Sequence, residues 1–165
     1  MPLYAFRAMD PVGRIVPGAM DASNSSDLEM RLRRMDLDLI DFRLSAQKDV
    51  AFGKRRVKRV DLINFAFHME QLTGAGVPIL EGLADLRDSL DHPRFREIVT
   101  DIIESIEGGQ PLSVALTHHD EVFDTTFTSL VRAGESSGRL AEVFRNLTEN
   151  LRWQDEQAAQ LKKVI

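Results

Sequence analysis

The chain has 165 residues, a formal net charge of −5, 43% hydrophobic residues and no cysteine. This length is enough for one domain with a core, or for a small appendage and one domain. The acidic balance disfavours a nucleic-acid binder, which usually carries a basic excess, and the lack of cysteine excludes disulfides and cysteine-ligated metals.

The first 45 residues predict a small ββαβ unit. Residues 3–9 and 14–20 are short apolar segments on either side of residues 10–13, whose Pro and Gly positions are typical of a β-turn, so they predict a hairpin. Asn24, Ser25 and Ser26 are each candidate caps for the helix that follows, and the alternation in residues 37–44 predicts a third strand. A unit of about 45 residues is small for an independent core, so it is either an appendage or a unit that docks onto a partner.

Residues 46–59 predict a basic linker, where the composition of the chain changes most sharply. The basic residues that we take as candidate contacts are Lys54, Arg55, Arg56, Lys58 and Arg59. They can contact anionic lipid headgroups, which contributes roughly 1 kcal/mol per residue near the surface, or they can contact an acidic partner. A solvated linker without such contacts is the alternative.

Residues 60–165 predict six helices joined by short turns, and hence a mainly α fold with an antiparallel six-helix bundle. Apolar residues recur at helical spacing throughout this region, and Asp61 and Asp124 are expected caps. Gly76 is expected in the turn after the first helix, and Pro78 is expected to open the second helix as its first residue. No stretch approaches about 18 consecutive apolar residues, so we expect no membrane span among these residues.

The run VRAGESSGRL, residues 131–140, predicts a tight turn between the fifth and sixth helices. Gly134 and Gly138 are expected to supply the backbone freedom of that turn. Ser136 or Ser137 is expected to cap the last helix.

Catalytic chemistry has little support in these residues. The sequence contains no P-loop, no G-x-S-x-G and no G-x-G-x-x-G motif, so we expect no enzyme and no ATPase. Residues 118–121 (HHDE) form the one metal-like cluster. Because adjacent side chains point in different directions, we expect a polar loop there instead of a zinc site.

Three motifs follow one another in the helical region: AGVP at residues 75–78, GQPLSVAL at 109–116 and AGESSGRL at 133–140. In this order and spacing the region resembles the platform-protein family of type II secretion (the F protein) and type IV pili (the PilC type). Residues 1–45 also resemble the N-terminal extension of that family. One departure is His68-Met69, where family members often carry Arg.

The resemblance implies the first cytoplasmic domain of a polytopic protein of the bacterial inner membrane, truncated before a membrane span beyond residue 165. The basic pair Lys162-Lys163 would then lie at the membrane surface, in line with the positive-inside rule. The implied partners are the assembly ATPase and other inner-membrane components, with a homodimer as a further option and no nucleic acid. The implied role is to couple the ATPase to pseudopilin or pilin assembly, in either a secretion or a pilus machine.

Some members of the family bind calcium around acidic residues at a dimer contact. The resemblance therefore makes Glu135 a candidate ligand for a divalent cation such as Ca²⁺, and no other cofactor is expected. The alternative to the platform-protein hypothesis is a stand-alone helical regulator or DNA-binding module. That alternative predicts a natural chain end after residue 165 and DNA binding that weakens steeply with salt.

Overall fold

The computed structural model describes residues 2–44 and 56–164. Their strands are β1 (Leu3–Met9), β2 (Ile15–Asp21) and β3 (Asp38–Leu44), and their helices are α1 (Ser25–Arg34), α2 (Arg59–Gly74), α3 (Ile79–Ser89), α4 (Pro93–Glu107), α5 (Leu112–Thr117), α6 (Thr125–Ser137) and α7 (Leu140–Val164). The predicted class, mainly α with a small N-terminal ββαβ unit before six helices, is confirmed. Among the described residues no helix is both long enough and apolar enough to cross a membrane.

The chain divides into two compact units. The first unit contains residues 1–56 together with residues 87–100, and the second contains residues 57–86 together with residues 101–165. The division differs from the linear order of the elements, because the segment 87–100 belongs with the N-terminal strands. The predicted division of the chain into 1–45, 46–59 and 60–165 stays a prediction.

In the first unit, an antiparallel sheet of order β2-β1-β3 carries the core on one face. Tyr4, Phe6 and Ala8 alternate along β1 and are all buried, as the two-residue period of a strand requires. Phe6 lies opposite Gly18 on β2. A Cβ atom at residue 18 would come within 2.8 Å of the Phe6 ring, so Gly18 leaves the space that this ring occupies.

Helix α1 completes this core. Of the three candidate caps, Asn24 is the one that caps this helix, since its side chain accepts a hydrogen bond from the Asp27 N–H at 2.9 Å. Leu28 and Leu32, one helical turn apart, are fully buried in the cluster that the β1 side chains enter. After α1 the chain reverses at Asp36, which has a φ of +57°, a region that Asp tolerates better than most side chains.

Arg96 is one reason why residues 87–100 belong to the first unit. Its side chain is almost fully buried, and its Nη2 donates to the Met35 carbonyl at 3.1 Å. Burial lowers the pKa of the Arg96 guanidinium, and the nearby Asp88 carboxylate acts in the opposite direction. Because a buried charge without partners is costly, this contact strongly constrains where α4 begins relative to the end of α1.

The turn between β1 and β2 makes a second connection to the same segment. The buried Asp10 carboxylate accepts hydrogen bonds from the Val12 N–H at 3.0 Å and from the Arg14 N–H at 2.8 Å. Arg14 Nε also donates to Asp10, at 2.9 Å, and Arg14 Nη2 donates to the Asp88 carbonyl at 3.0 Å. The turn predicted from residues 10–13 is therefore organised by its own aspartate.

The ionisation of Asp10 should make the stability of the first unit depend on pH. Burial alone would raise the pKa of the Asp10 carboxyl, but the hydrogen bonds and the positive charge from Arg14, with the Val12 N–H, bring it below its ordinary value of 3.8. A lowered folded pKa means that ionised Asp10 stabilises the fold above its ordinary pKa, and that this contribution is lost as the pH falls through the folded value. We expect the thermal unfolding midpoint to fall as the pH is lowered from about 5 through the ordinary pKa of 3.8 and below it, and to fall less in Asp10→Asn. Circular dichroism melts over this pH range measure the unfolding midpoint. Identical pH profiles for the original chain and Asp10→Asn would contradict the expectation.

The second unit is organised around four phenylalanines. Phe65 on α2 is fully buried, and its ring centroid lies 5.4 Å from that of Phe123, 6.2 Å from Phe127 and 6.3 Å from Phe144. These distances and the tilted or edge-on ring planes are typical of favourable aromatic packing. The cluster joins α2, α6 and α7 into one core.

Helices α2 and α7 run antiparallel. At the start of α2, Arg59 Nη1 lies 3.4 Å from Asp155 Oδ1, and at its end a Cβ atom on Gly74 would lie 4.0 Å from Ala141 Cβ. The two helices are therefore in contact along the whole of α2. Helix α7 continues past Asp155 to Val164.

The helix ends agree with most of the predicted caps. Asp124 accepts a hydrogen bond from the Phe127 N–H at 2.8 Å, as predicted. Asp61 also caps α2, but from inside its first turn, where its carboxylate accepts the Lys58 N–H at 2.8 Å. Gly76 has the positive φ expected of a turn, +83°. Pro78 precedes α3 by one residue and accepts the Gly82 N–H at 2.9 Å, so it is the N-cap and not the first helical residue.

Candidate functional site at residues 131–140

Residues 131–140 contain the end of α6 and the start of α7. Helix α6 continues to Ser137, and Gly138 follows as its C-cap with a φ of +72°. The N–H groups of Gly138 and Arg139 both donate to the Gly134 carbonyl, the latter at 2.9 Å. Gly138 therefore has the predicted turn role, because this left-handed conformation favours glycine.

Gly134 and the two serines differ from their predicted roles. Gly134 lies within α6, and the Ser137 hydroxyl donates to the Ala133 carbonyl of the same helix at 2.9 Å. The expectation that Ser136 or Ser137 caps α7 is corrected by the structure, since both serines are the last residues of α6. The turn is thus shorter than predicted.

The lack of a side chain at Gly134 allows α6 and α7 to approach closely. A Cβ atom at this position would lie 2.8 Å from Val143 Cγ2 and 3.2 Å from Leu140 Cδ2. Real Cβ atoms do not come so near to other carbon atoms in a packed interior. Gly134 is therefore a packing residue between two helices.

Glu135 caps a third helix. Its carboxylate accepts a hydrogen bond from the Ser113 N–H at 2.7 Å and another from the Ser113 hydroxyl at 2.6 Å. Ser113 is the second residue of α5, whose N-cap Pro111 makes no side-chain cap bond. The carboxylate satisfies one of the free N–H groups at this helix start and places a negative charge at the positive end of the helix.

Sequence reasoning did not find Ser113 as the partner of Glu135. The one available signal was Pro111, because a helix that opens on proline has no capping side chain of its own and needs an acceptor from elsewhere. Gly134 thus brings α6 against α7, and Glu135 joins α6 to α5.

The candidate metal ligands have close protein partners in the structure. Both carboxylate oxygens of Glu135 accept bonds from Ser113, as described above. His119 Nε2 lies 3.6 Å from Asp101 Oδ2, and His119 Nδ1 lies 3.7 Å from Glu121 Oε1. Across residues 2–44 and 56–164 no group of three or more His, Cys, Asp or Glu side chains is arranged to hold a metal ion. A divalent cation at Glu135 stays a prediction.

The structure covers the basic linker only in part. Lys54 and Arg55 lie outside the described residues, whereas Arg56, Lys58 and Arg59 are described and exposed. Arg59 forms the ion pair with Asp155 at 3.4 Å, and both side chains are partly exposed, so this pair contributes little stability. The predicted lipid or partner contacts of these residues stay a prediction.

The Ser113–Glu135 cap gives a test by mutation. We expect Glu135→Ala to lower the free energy of unfolding by about 1–2 kcal/mol, because the Ser113 N–H then loses its acceptor. Ser113→Ala should cost less, since the backbone bond remains. Urea unfolding of both single variants and of the double variant measures the coupling. Ser136→Ala, at an exposed position in the same helix, is the control and should change stability by less than about 0.5 kcal/mol. Strictly additive effects of the two cap variants would contradict the contact.

Comparison with known proteins gives matches over most of the chain. The family model described as type II secretion system (T2SS), protein F, matches residues 65–165, and the one described as type II secretion system protein F, N-terminal domain, matches residues 1–43. Type II secretion system protein F of Xanthomonas campestris pv. campestris is 29% identical over 157 residues, which cover 92% of this chain and 39% of the relative.

Two further relatives are similar over the whole chain. Type IV pilus assembly protein PilC of Thermus thermophilus is 29% identical over 170 residues, and type II secretion system protein F of Vibrio cholerae is 25% identical over 171 residues. Each alignment covers 100% of this chain and 42% of the relative. The chain thus spans about two fifths of the length of the curated relatives that it matches.

Proposed function

The chain belongs to the type II secretion system protein F family, and from this membership we propose that it acts as a non-catalytic scaffold that couples an assembly ATPase to pseudopilin or pilin assembly. The observation that carries the proposal is the match of both family models, in chain order, at residues 1–43 and 65–165. Relatives named for type II secretion and for type IV pilus assembly are both 29% identical to this chain, so the proposal covers both machines.

The proposed location is the cytoplasmic face of the bacterial inner membrane. Membrane spans beyond residue 165 would anchor the whole protein there, and the assembly ATPase and other inner-membrane components would be its partners. A homodimer is a further option, and no nucleic acid is involved. The alternative of a stand-alone regulator or DNA-binding module gains no support from any described residue.

The proposed mechanism is transmission of movement through contact, with no bond made or broken. It is supported by the way residues 131–140 are used: Gly134 contacts α7 and Glu135 contacts α5, so both act within the fold. Their effect is to hold three helices in fixed relation. Contacts with other components of the machine would then be made by the exposed outer faces of the helices, as expected of a scaffold that binds other proteins.

The proposal is tested by a pull-down of the purified cognate assembly ATPase with the 165-residue chain as bait. We expect the chain to retain the ATPase in at least one of three states: without nucleotide, with ADP, or with a non-hydrolysable ATP analogue. An unrelated ATPase is the matched control and should not be retained. Failure to retain the cognate ATPase in all three states, by a chain with a normal melting curve, would refute the partner.

The basic linker is proposed to contact anionic headgroups or an acidic partner surface. Reversing three described charges, as in Arg56→Glu, Lys58→Glu and Arg59→Glu together, should weaken co-sedimentation with vesicles of anionic lipid, at roughly 1 kcal/mol for each lost cation. Vesicles of neutral lipid are the control. Binding to anionic vesicles that this triple change leaves unaltered would remove the lipid contact from the proposal.

A further inference from the structure

Strand β3 lies at one edge of the sheet in the first unit, because the strand order is β2-β1-β3. Every residue of β3 except Leu39 is exposed, and no strand within residues 2–44 and 56–164 pairs with its other side. An edge of this kind presents backbone N–H and C=O groups with which another extended chain can pair. The outer edge of β3 is therefore a surface for strand addition.

The opposite edge of the sheet is less suited to strand addition. Strand β2 contains Pro17, which has no N–H group to donate. Pro93, the first residue of α4, lies beside the same strand, since a Cβ atom on Gly18 would come within 3.2 Å of Pro93 Cγ. Strand β3 contains no proline. Of these two edges, β3 is the one with a complete set of backbone donors.

Part of the core face of β3 is left uncovered. Beyond one shift of register, residues 41–44 pair one for one with residues 4–7 of β1. Opposite residues of an antiparallel pair share a face, so Phe42 and Leu44 lie on the face that carries the core. Their exposed fractions are nevertheless 46% and 63%. The edge strand thus carries apolar area that the described part of the first unit does not bury.

The other face of β3 carries one charge of each sign. Asp41 lies opposite Arg7, whose Nε donates to it at 3.0 Å, and Arg43 lies opposite Ala5. Asp41 and Arg43 are both exposed. They are two positions apart, so they are neighbours on the same face of the strand.

These charges favour a second copy of β3 as the occupant of the edge, and they select its register. Because side chains alternate between the two faces of a strand, a two-fold axis across a continuous sheet must pass through a residue. An axis at residue 41 would oppose two Asp41 side chains, and an axis at residue 43 would oppose two Arg43 side chains, which is unfavourable in both cases. An axis at residue 42 places Asp41 of each copy opposite Arg43 of the other.

We propose that β3 pairs with β3 of a second copy of the chain, antiparallel about Phe42, so that two sheets of three strands become one sheet of six. Backbone hydrogen bonds hold an added strand of this kind. The two Asp41–Arg43 pairs specify the register, and the two Phe42 rings meet on the core face. The paired segment is short compared with a stable interface, so the dimer forms reversibly as the concentration rises. This pairing gives the optional homodimer of the proposed function a surface and does not depend on the ATPase.

The absence of cysteine from the chain allows the register to be tested by cross-linking. In Phe42→Cys the two new side chains would be opposite each other, where the Cα atoms of an antiparallel pair lie about 4.5–5.5 Å apart, a separation that a disulfide spans. Leu44→Cys is the matched control on the same face, because its two copies would be four positions apart along the strands, roughly 13 Å. Under mild oxidation we expect Phe42→Cys to form covalent dimers at least about tenfold faster than Leu44→Cys.

Charge exchange gives a second test that a folding defect cannot imitate. Arg43→Asp would bring four carboxylates together across the axis, and Asp41→Arg would bring four guanidiniums together. Each variant alone should therefore dimerise about tenfold more weakly than the original chain in sedimentation velocity experiments. An equimolar mixture of the two variants restores both pairs of opposite charge and should recover the dimer. Circular dichroism melts show that each variant is folded.

Several results would overturn the proposal. Equal cross-linking rates in Phe42→Cys and Leu44→Cys would exclude the register. Dimers that persist in each charge variant alone would mean that the chain associates through another surface. A mixture of the charge variants that stays monomeric would exclude the Asp41–Arg43 pairs. An original chain that is monomeric at every concentration would leave the edge of β3 to an extended segment of a different protein.

These tests separate strand pairing from the proposed function. They use the 165-residue chain alone, so their failure beside a successful ATPase pull-down would overturn the β3 dimer only. Rapid cross-linking of Phe42→Cys beside a failed pull-down would leave the dimer in place and overturn the ATPase partner.

Discussion

Replacing Gly134 by valine should lower the free energy of unfolding of the second unit by about 3 kcal/mol, the upper end of the usual cost of overpacking. The reason is the close approach of α6 and α7. A Cβ atom at residue 134 would already lie 2.8 Å from Val143 Cγ2, and valine adds two methyl groups beyond it. The helices would have to separate, which disturbs the contacts of α7 with the rest of the core. Urea denaturation followed by circular dichroism measures the loss.

Two further variants make this result specific. Gly74→Ala is the matched control, because a Cβ atom there meets only Ala141 at an ordinary 4.0 Å, so stability should stay constant or rise slightly. Adding Val143→Ala to Gly134→Ala should recover part of the loss of Gly134→Ala alone, since it removes the atom that the new Cβ would meet. A Gly134→Val protein as stable as the original chain would contradict the packing role of Gly134.

Phe65→Ala should lower the free energy of unfolding by about 3–5 kcal/mol, as deletion of a buried aromatic ring usually does. Phe65 is fully buried and lies next to the rings of Phe123, Phe127 and Phe144, so its removal opens a cavity where three helices meet. The loss is a large fraction of the roughly 5–15 kcal/mol that stabilises a typical domain. We therefore expect a markedly lower midpoint of urea unfolding.

Phe67→Ala on the same helix is the control for this prediction. Phe67 is 42% exposed and contacts the Arg152 guanidinium, so its removal should cost only about 1 kcal/mol. Equal losses in the two variants would mean that the Phe65 cluster is not the centre of the second unit. A fluorescence change at Trp153 in Phe65→Ala, absent in Phe67→Ala, would mark rearrangement of α7.

The secondary structure was predictable because its signals are local. A cap such as Asp124 acts within three residues of itself, and its hydrogen bond is where the sequence predicted it. For the helix after residue 24 the sequence narrowed the cap to three neighbouring residues, of which Asn24 makes the bond. Helical periodicity gave the six helices after residue 58, and the Pro and Gly positions of residues 10–13 gave the hairpin. Each of these features depends on neighbours in sequence alone.

The contacts that could not be predicted from the sequence join residues that are far apart in the chain. Ser113 and Glu135 are 22 positions apart, and Arg96 and Met35 are 61 positions apart. Gly134 was predicted to be a turn residue because glycine favours turns. Its packing role instead depends on where Val143 lies after α7 has packed. Such contacts depend on how distant segments pack in the tertiary structure, so composition and local spacing do not predict them.

We propose above that this chain couples an assembly ATPase to the rest of the machine. The most direct measurement is the affinity of the 165-residue chain for the cognate ATPase, determined by calorimetry without nucleotide, with ADP and with a non-hydrolysable ATP analogue. Coupling requires an affinity that differs between nucleotide states. Binding of equal strength in all states cannot shift the conformational equilibrium of either protein. We expect saturable binding whose affinity changes with the nucleotide. Binding of the same affinity in all three states, or none in any, would contradict it.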